Sequence, residues 1–234
     1  MDQIVFFWVG ENLSIPNYFV NSIKKISQRN FRIIQVTDFN TQRIEGVTNC
    51  LRTELPNDIM TARLKAYSLV ETASSKTIFC DADSLMINSF NFLGFKKGYH
   101  IMRRVENDII NHNYPEHFPE FENKYFMDFM PFLFGAIIIN QEKNFFNILH
   151  NICLKLPSRF HRWYGDQISL HIYYLDNKSK FNFFAQQKYM HIVDNNEEPQ
   201  NESTFLINNK IPFITFKGSI SKKRIGEYFN LMCV

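Results

Sequence analysis

Ile4-Val5-Phe6-Phe7-Trp8-Val9-Gly10 opens the chain with six apolar residues in a row and a glycine at their end. A short apolar run without polar alternation matches a strand buried on both faces, as in a parallel sheet. Next outward, residues 15–28 carry Phe19, Val20, Ile23 and Ile26 at helical spacing, with Pro16 suited to a first turn. Phe31-Arg32-Ile33-Ile34-Gln35-Val36-Thr37 then has the character of a second strand, with Asp38 just past its end. Strand, helix, strand predicts two parallel strands joined by a right-handed crossover.

The same pattern continues. A helix is expected over 60–73, then a strand over 76–80 that runs into Asp81-Ala82-Asp83. Residues 88–98 are rich in turn formers. Residues 106–128 mix Asn, His, Pro and aromatics without a period, which fits a long binding loop or short helical pieces. Another apolar strand is expected over 132–140, a helix over 141–154, and a short helix from Trp163-Tyr164-Gly165-Asp166-Gln167 through Tyr174. The polar stretch 194–204 has the composition of a surface loop. A last strand covers 213–216, followed by Lys217-Gly218-Ser219 and a basic, aromatic tail. The expected architecture is one α/β domain over 1–234, with a mostly parallel central sheet flanked by helices.

Composition narrows the classes. With 234 residues, 45% hydrophobic and 21% charged, the chain suits one folded domain and excludes disorder. A net charge of +3 is too small to argue for nucleic acid and suits an anionic small ligand or a weakly anionic membrane. Cys50, Cys80, Cys153 and Cys233 are scattered, which fits reduced thiols rather than a disulfide frame or zinc site. Asp2 leads straight into the first strand without a secretory leader, and no apolar run approaches the ~20 residues of a membrane span. A soluble, cytoplasmic protein is expected.

Asp81-Ala82-Asp83 is the sharpest chemical signal. An apolar strand delivers both carboxylates to the carboxyl edge of a parallel sheet, where open α/β sheets bind ligands. Residues two apart in an extended chain point to one side, so both carboxylates can face one hard cation such as Mn²⁺ or Mg²⁺, bridging to a diphosphate. The plainer use is an acidic turn before Ser84. One helix upstream, Arg63 in Ala62-Arg63-Leu64-Lys65 has the planar fork to meet phosphate or sugar hydroxyls; its plainer use is an exposed helix cation.

Ala62-Arg63-Leu64-Lys65 followed by Ile78-Phe79-Cys80-Asp81-Ala82-Asp83 resembles the core of the glycogenin-like and lipooligosaccharide galactosyltransferase-like enzymes, which are retaining GT-A glycosyltransferases with a DxD motif. Phe7-Trp8-Val9-Gly10 with Asp38 is also similar to sugar transferases of the initiating mannosyltransferase type. The resemblance implies a GT-A domain, with a nucleotide-sugar-binding half over about 1–105 and an acceptor-binding half over about 106–234. It implies that Val9, Gly10 and Asp38 surround the nucleotide, Arg63 and Asp81 contact the donor, and Asp81 and Asp83 hold Mn²⁺ or Mg²⁺. Downstream, Phe134-Gly135-Ala136-Ile137-Ile138-Ile139-Asn140 is similar to the family's Asn-Ala-Gly strand. Asp166-Gln167 matches its Asp-Gln pair beside the reacting sugar, and Thr215-Phe216-Lys217-Gly218 resembles its His-Phe-x-Gly motif. The implied activity is metal-dependent transfer of a hexose, from a UDP-sugar foremost, to a saccharide or lipid-linked glycan, as in surface polysaccharide or lipopolysaccharide synthesis.

The departures are Phe134 in place of Asn, Thr215 in place of the metal-binding His, and Ser221-Lys222-Lys223-Arg224 in place of a Lys-Pro-Trp ending. Lys217 or Lys222 still suits neutralisation of a leaving diphosphate, and His191 is a spare imidazole. As a helix-start residue Asp166 is a good N-cap without any chemistry. In an inverting enzyme its carboxylate would be a general base, and in a retaining one it would hold the sugar. His112, His117 and His161 have no metal-ligand spacing. Trp163 and Tyr164 suit either an acceptor platform or the core. The tail's cations and aromatics suit peripheral membrane contact. Two alternatives stand beside the transferase. A sugar nucleotidyltransferase would open on a Gly-rich loop, where Gly10-Glu11-Asn12-Leu13 has one glycine. A non-catalytic nucleotide- or sugar-binding module fits the lost Asn and His.

Overall fold

The computed structural model describes residues 1–91, 94–104, 109–110, 118–194 and 196–233. Its first strand, β1 (Gln3–Phe7), is buried along its whole length. Alternation explains why: Val5 and Phe7 pack into one core cluster and Ile4 and Phe6 into another on the opposite face. Each such side chain contributes about 1.5–3 kcal/mol by burial. The helix Ser14–Ile26 covers one face through Phe19, Val20 and Ile23. The helix Ile59–Ser68 covers the other through Ala62, Leu64 and Ala66.

Around β1 lie β2 (Arg32–Thr37), β3 (Asn49–Arg52), β4 (Lys76–Asp81), β5 (Ser84–Met86), β6 (Gly98–Arg103), β7 (Phe132–Asn140), β8 (Phe181–Ala185), β9 (Met190–Ile192) and β10 (Phe213–Thr215). The main sheet has seven strands in the order β3-β2-β1-β4-β7-β6-β8. β3, β2, β1 and β4 run parallel, as do β6 and β8. β7 runs antiparallel to both its neighbours. The expected α/β domain with a mostly parallel sheet and flanking helices is the observed one. The reversal at β7 lay outside the sequence signal, because an apolar run reports burial and not direction. A second sheet has the order β5-β10-β9. In it Thr215 pairs with Ser84, which brings the C-terminal part of the chain beside Asp83.

Several boundaries differ from expectation. The helix from 59 stops at Ser68 rather than 73, because the Glu71 carbonyl accepts a hydrogen bond from Gln3 Nε2 and its Oε1 caps the Ala73 N–H. Gln141 and Asn144 take positive φ, so the next helix begins at Phe145. The expected loop over 194–204 is largely the helix Pro199–Asn208. Its Glu202 is buried and bonded to His191 and Tyr228, partners that lie far off in sequence.

The basic tail is folded, not free. Helices Gly218–Lys223 and Ile225–Met232 follow β10, and Ile225, Tyr228 and Met232 enter a core cluster with Leu85, Ile214 and Phe216. The Phe229 ring lies 5.1 Å from that of Tyr18. Of the tail's two aromatics, Tyr228 is buried in that cluster and Phe229 is partly buried against it. Among the described residues no helix is long and apolar enough to cross a membrane. Cys50, Cys80, Cys153 and Cys233 are free thiols. Of the irregular stretch 106–128, His112 and His117 lie outside the described residues, while Phe118 and Phe121 pack with Phe160 and Tyr164.

Candidate functional site

Three parallel strands end at the site. The register pairs Phe7 with Asp81, so Val9 and Gly10 leave the sheet edge beside the end of β4, and Asp38 leaves it one strand further. The Gly10 N–H donates to Thr41 Oγ1 at 2.9 Å. Asp38 Oδ1 accepts from the N–H groups of Asn40 at 3.1 Å and Thr41 at 2.7 Å. Desolvation would raise the Asp38 pKa, but these hydrogen bonds and Arg52 outweigh it and hold the carboxyl below its usual value. Val9, Asp38, Leu55 and Ala62 line an open cleft of about 500 Å³.

One residue further along the helix, Arg63 faces a second cavity of about 530 Å³. Its guanidinium lies 2.9 Å from Asp81 Oδ1, pairs with Asp166 and sits 4.7 Å from the centroid of the Phe134 ring. The other side of Asp81 meets the tail. Lys217 Nζ is 2.5 Å from Asp81 Oδ2 and 3.7 Å from Asp83 Oδ1, and Lys222 Nζ is 2.9 Å from Asp83 Oδ2. Burial would raise the Asp81 pKa; Lys217 and Arg63 reverse that and hold it below the usual carboxylate value. Desolvation pulls Lys217 down, yet Asp81 and Asp83 leave it raised overall. Gly135, within β7, lies beside the pair: a Cβ there would press on Met190 Sδ at 3.3 Å and be in ordinary contact with Asp81 Oδ2 at 3.5 Å.

Asp166 and Gln167 begin the helix Gly165–Asp176, and both line the second cavity. Asp166 is fully buried. Oδ2 pairs with Arg63, and Oδ1 accepts from the Gln167 N–H at 2.7 Å. Gly165 lets this helix start against its neighbours, since a Cβ there would clash with the Phe160 carbonyl and stand 2.8 Å from Cys153 Sγ. Trp163 is partly exposed and lines the cavity, whereas most of Tyr164 is taken into the aromatic core. The structure thus brings Arg63, Asp81, Asp166, Gln167, Lys217 and Gly218 to one cavity, with Asp83 behind it, and Val9 and Asp38 to the adjoining cleft. His191 pairs with Glu202, and a His161 ring nitrogen meets the Leu156 carbonyl. Sequence reasoning missed Arg104, whose Nη2 donates to Gln167 Oε1 at 3.0 Å and whose guanidinium lies 4.3 Å from the Phe126 ring centroid. The signal was Arg103-Arg104 ending an apolar stretch, and it went unread because β6 was not foreseen.

Asp81 and Asp83 together offer hard carboxylate oxygens, and among the described residues Asp83 Oδ1 is buried with no hydrogen-bond donor, the Lys217 ammonium group standing 3.7 Å off, so the pair suits a divalent cation. Thr215 Oγ1 is turned to the Asp83 carbonyl at 3.4 Å, and no group of three or more His, Cys, Asp or Glu among the described residues is placed to hold a metal. An ion would therefore take two carboxylates from the protein and complete its shell with donor oxygens and water.

No protein-family model matches the chain, and no curated protein does. Among solved structures, one similar in fold is a glycosyltransferase involved in the glycosylation of the major capsid of PBCV-1. It is 8% identical, 98% of each chain is covered, and the TM-score is 0.58. At that identity the likeness is one of fold: the chain has an α/β fold like that glycosyltransferase's, with a mostly parallel seven-stranded sheet flanked by helices, consistent with a GT-A domain.

Proposed function

We propose that the protein is a glycosyltransferase that binds a nucleotide-sugar across the carboxyl edge of the sheet and passes the sugar to a glycan acceptor. The observation that carries this is the convergence of Arg63, Asp81, Asp83 and Lys217 between a cleft of about 500 Å³ and a cavity of about 530 Å³. The nucleoside belongs in the cleft beside Val9 and Asp38, the diphosphate at the charged seam, and the sugar in the cavity beside Arg63 and Gln167. Mn²⁺ or Mg²⁺ on Asp81 and Asp83 would supply Lewis-acid stabilisation of the departing diphosphate.

The chain's own residues do the rest. Lys217 and Lys222, on flexible stems, reach the diphosphate and neutralise the charge that grows as the sugar leaves. Arg63 is held in one orientation by Asp81 and Asp166 and offers a fixed fork to donor oxygens. Asp166 has both oxygens engaged, so it acts by fixing Arg63 and the Gln167 amide, not as a base. That favours the retaining course, in which the leaving diphosphate assists the incoming hydroxyl. Trp163 and Phe126 frame the cavity as a platform for the acceptor sugar. A UDP-sugar and a surface-polysaccharide acceptor are the substrates proposed.

The test is thermal stabilisation by UDP, GDP and CDP, each with and without Mn²⁺, on the wild type and Asp83→Ala. A shift specific to one nucleotide, strongest with Mn²⁺ and reduced in Asp83→Ala, is expected. No shift with any nucleotide would remove the donor site. A second possibility, a binding module without turnover, is favoured by Phe134, whose ring lies under Arg63 where the resembled family has a polar Asn. Nucleotide binding without release of sugar from any donor would establish it.

A further inference from the structure

The seam is already electrically balanced. Asp81 and Asp83 carry two negative charges and Lys217 and Lys222 two positive ones, in contact. Arg63 and Asp166 balance each other beside them. A divalent ion arriving alone meets no net negative charge, and to bridge the pair it must move the Lys217 ammonium group, 2.5 Å from Asp81 Oδ2 and 3.7 Å from Asp83 Oδ1, with Lys222 a second positive charge on Asp83 Oδ2. A nucleoside diphosphate changes this. Its negative charge gives both ammonium groups a new partner and frees the carboxylates in the same event.

We infer that Lys217 and Lys222 form a lock on the Asp81–Asp83 pair that excludes a divalent cation until a nucleoside diphosphate draws the lysines away. This rests on the donor site proposed above. Four-carbon stems allow the movement without a backbone change, since each lysine side chain is more than a third exposed. The lock imposes an order of assembly, with metal and donor entering together. The two lysines are positioning residues that act on the carboxylates before they touch the donor.

Mn²⁺ binding, read from loss of the free-ion electron paramagnetic resonance signal, tests the lock without reference to activity. The samples are wild type with and without UDP, GDP or CDP, Lys217→Met, Lys222→Met and the double variant, each checked for folding by thermal melting. With no nucleotide, the double variant is expected to bind Mn²⁺ at least about tenfold more tightly than wild type, since an ammonium group beside the ion is a strong local repulsion. Adding Asp83→Ala should abolish the gain. Lys222→Met, the less entangled of the two, should show part of the gain even where the double variant does not fold. Wild type without nucleotide binding Mn²⁺ within twofold of the variants would overturn the lock. So would nucleotide binding that never recruits Mn²⁺ in any form. Failure of the donor site is a separate result: no nucleotide binds, with or without metal.

Discussion

Arg63 joins Asp81, which Lys217 also holds, to Asp166, whose other bond comes from the Gln167 N–H. Asp166 is wholly buried, and removing Arg63 would leave it without a counter-ion among the described residues. Arg63→Ala should therefore destabilise the fold by about 3–5 kcal/mol, measured by denaturant unfolding. Arg63→Lys keeps a charge but loses the fork, so one of the two pairs must lapse. If Asp166 positions Arg63, then Arg63→Lys and Asp166→Asn act on turnover through one unit. Their effects in a double-mutant cycle should fall short of additive by about 0.5–3 kcal/mol. Additive losses would instead mean that Asp166 meets the substrate independently. Gly165 offers a purely steric contrast. Gly165→Ala should cost about 1–3 kcal/mol, because the methyl group would meet the Phe160 carbonyl, which is backbone and yields little.

At the scale of elements, sequence patterns were most informative where one physical requirement dominated. β1 and β7 are nearly continuous apolar runs and β2 and β4 carry shorter ones, Ile33-Ile34 and Ile78-Phe79-Cys80, and burial on both faces is what such runs encode. Asp81 and Asp83 were legible for the same reason, as carboxylates that end such a run. β8 and β9 were not, because Phe181-Asn182-Phe183-Phe184-Ala185 and Met190-His191-Ile192 are too short and mixed to declare a period. The helix Pro199–Asn208 was hidden by polarity that only its tertiary partners justify. Glu202, buried there, takes bonds from Tyr228 Oη and from the Asp194 N–H at 3.1 Å, and pairs with His191. Tyr228→Phe removes one donor from that carboxylate without changing shape. It should lower stability by about 1–3 kcal/mol in chemical denaturation. A loss no larger than that of an exposed substitution would mean water already serves Glu202.

Across the whole molecule, the Asp81–Lys217 contact ties residues 136 apart, fastening the C-terminal helices to the end of the central sheet. Stability should record that fastening as a function of pH. Asp81 has a lowered pKa, so its contribution is complete above the ordinary carboxylate value of 3.8 and is lost as pH falls through the folded value. Lys217 has a raised pKa, so its contribution is complete below 10.5 and is lost as pH rises through the folded value. Replacing Lys217 by Met removes one partner and lets the Asp81 pKa drift upward. The stability difference between wild type and Lys217→Met should therefore be flat from roughly pH 5 to 9. It should close in acid below the carboxylate value and in alkali above the lysine value. Melting temperatures of both proteins across that range give the profile. A difference that stayed constant into acid would mean that Asp81 gains nothing from Lys217, leaving Arg63 alone to hold the carboxylate. A nucleoside diphosphate that draws Lys217 away should weaken the acid limb of that profile and leave the alkaline limb, because the lysine's anionic partner is then phosphate and no longer Asp81.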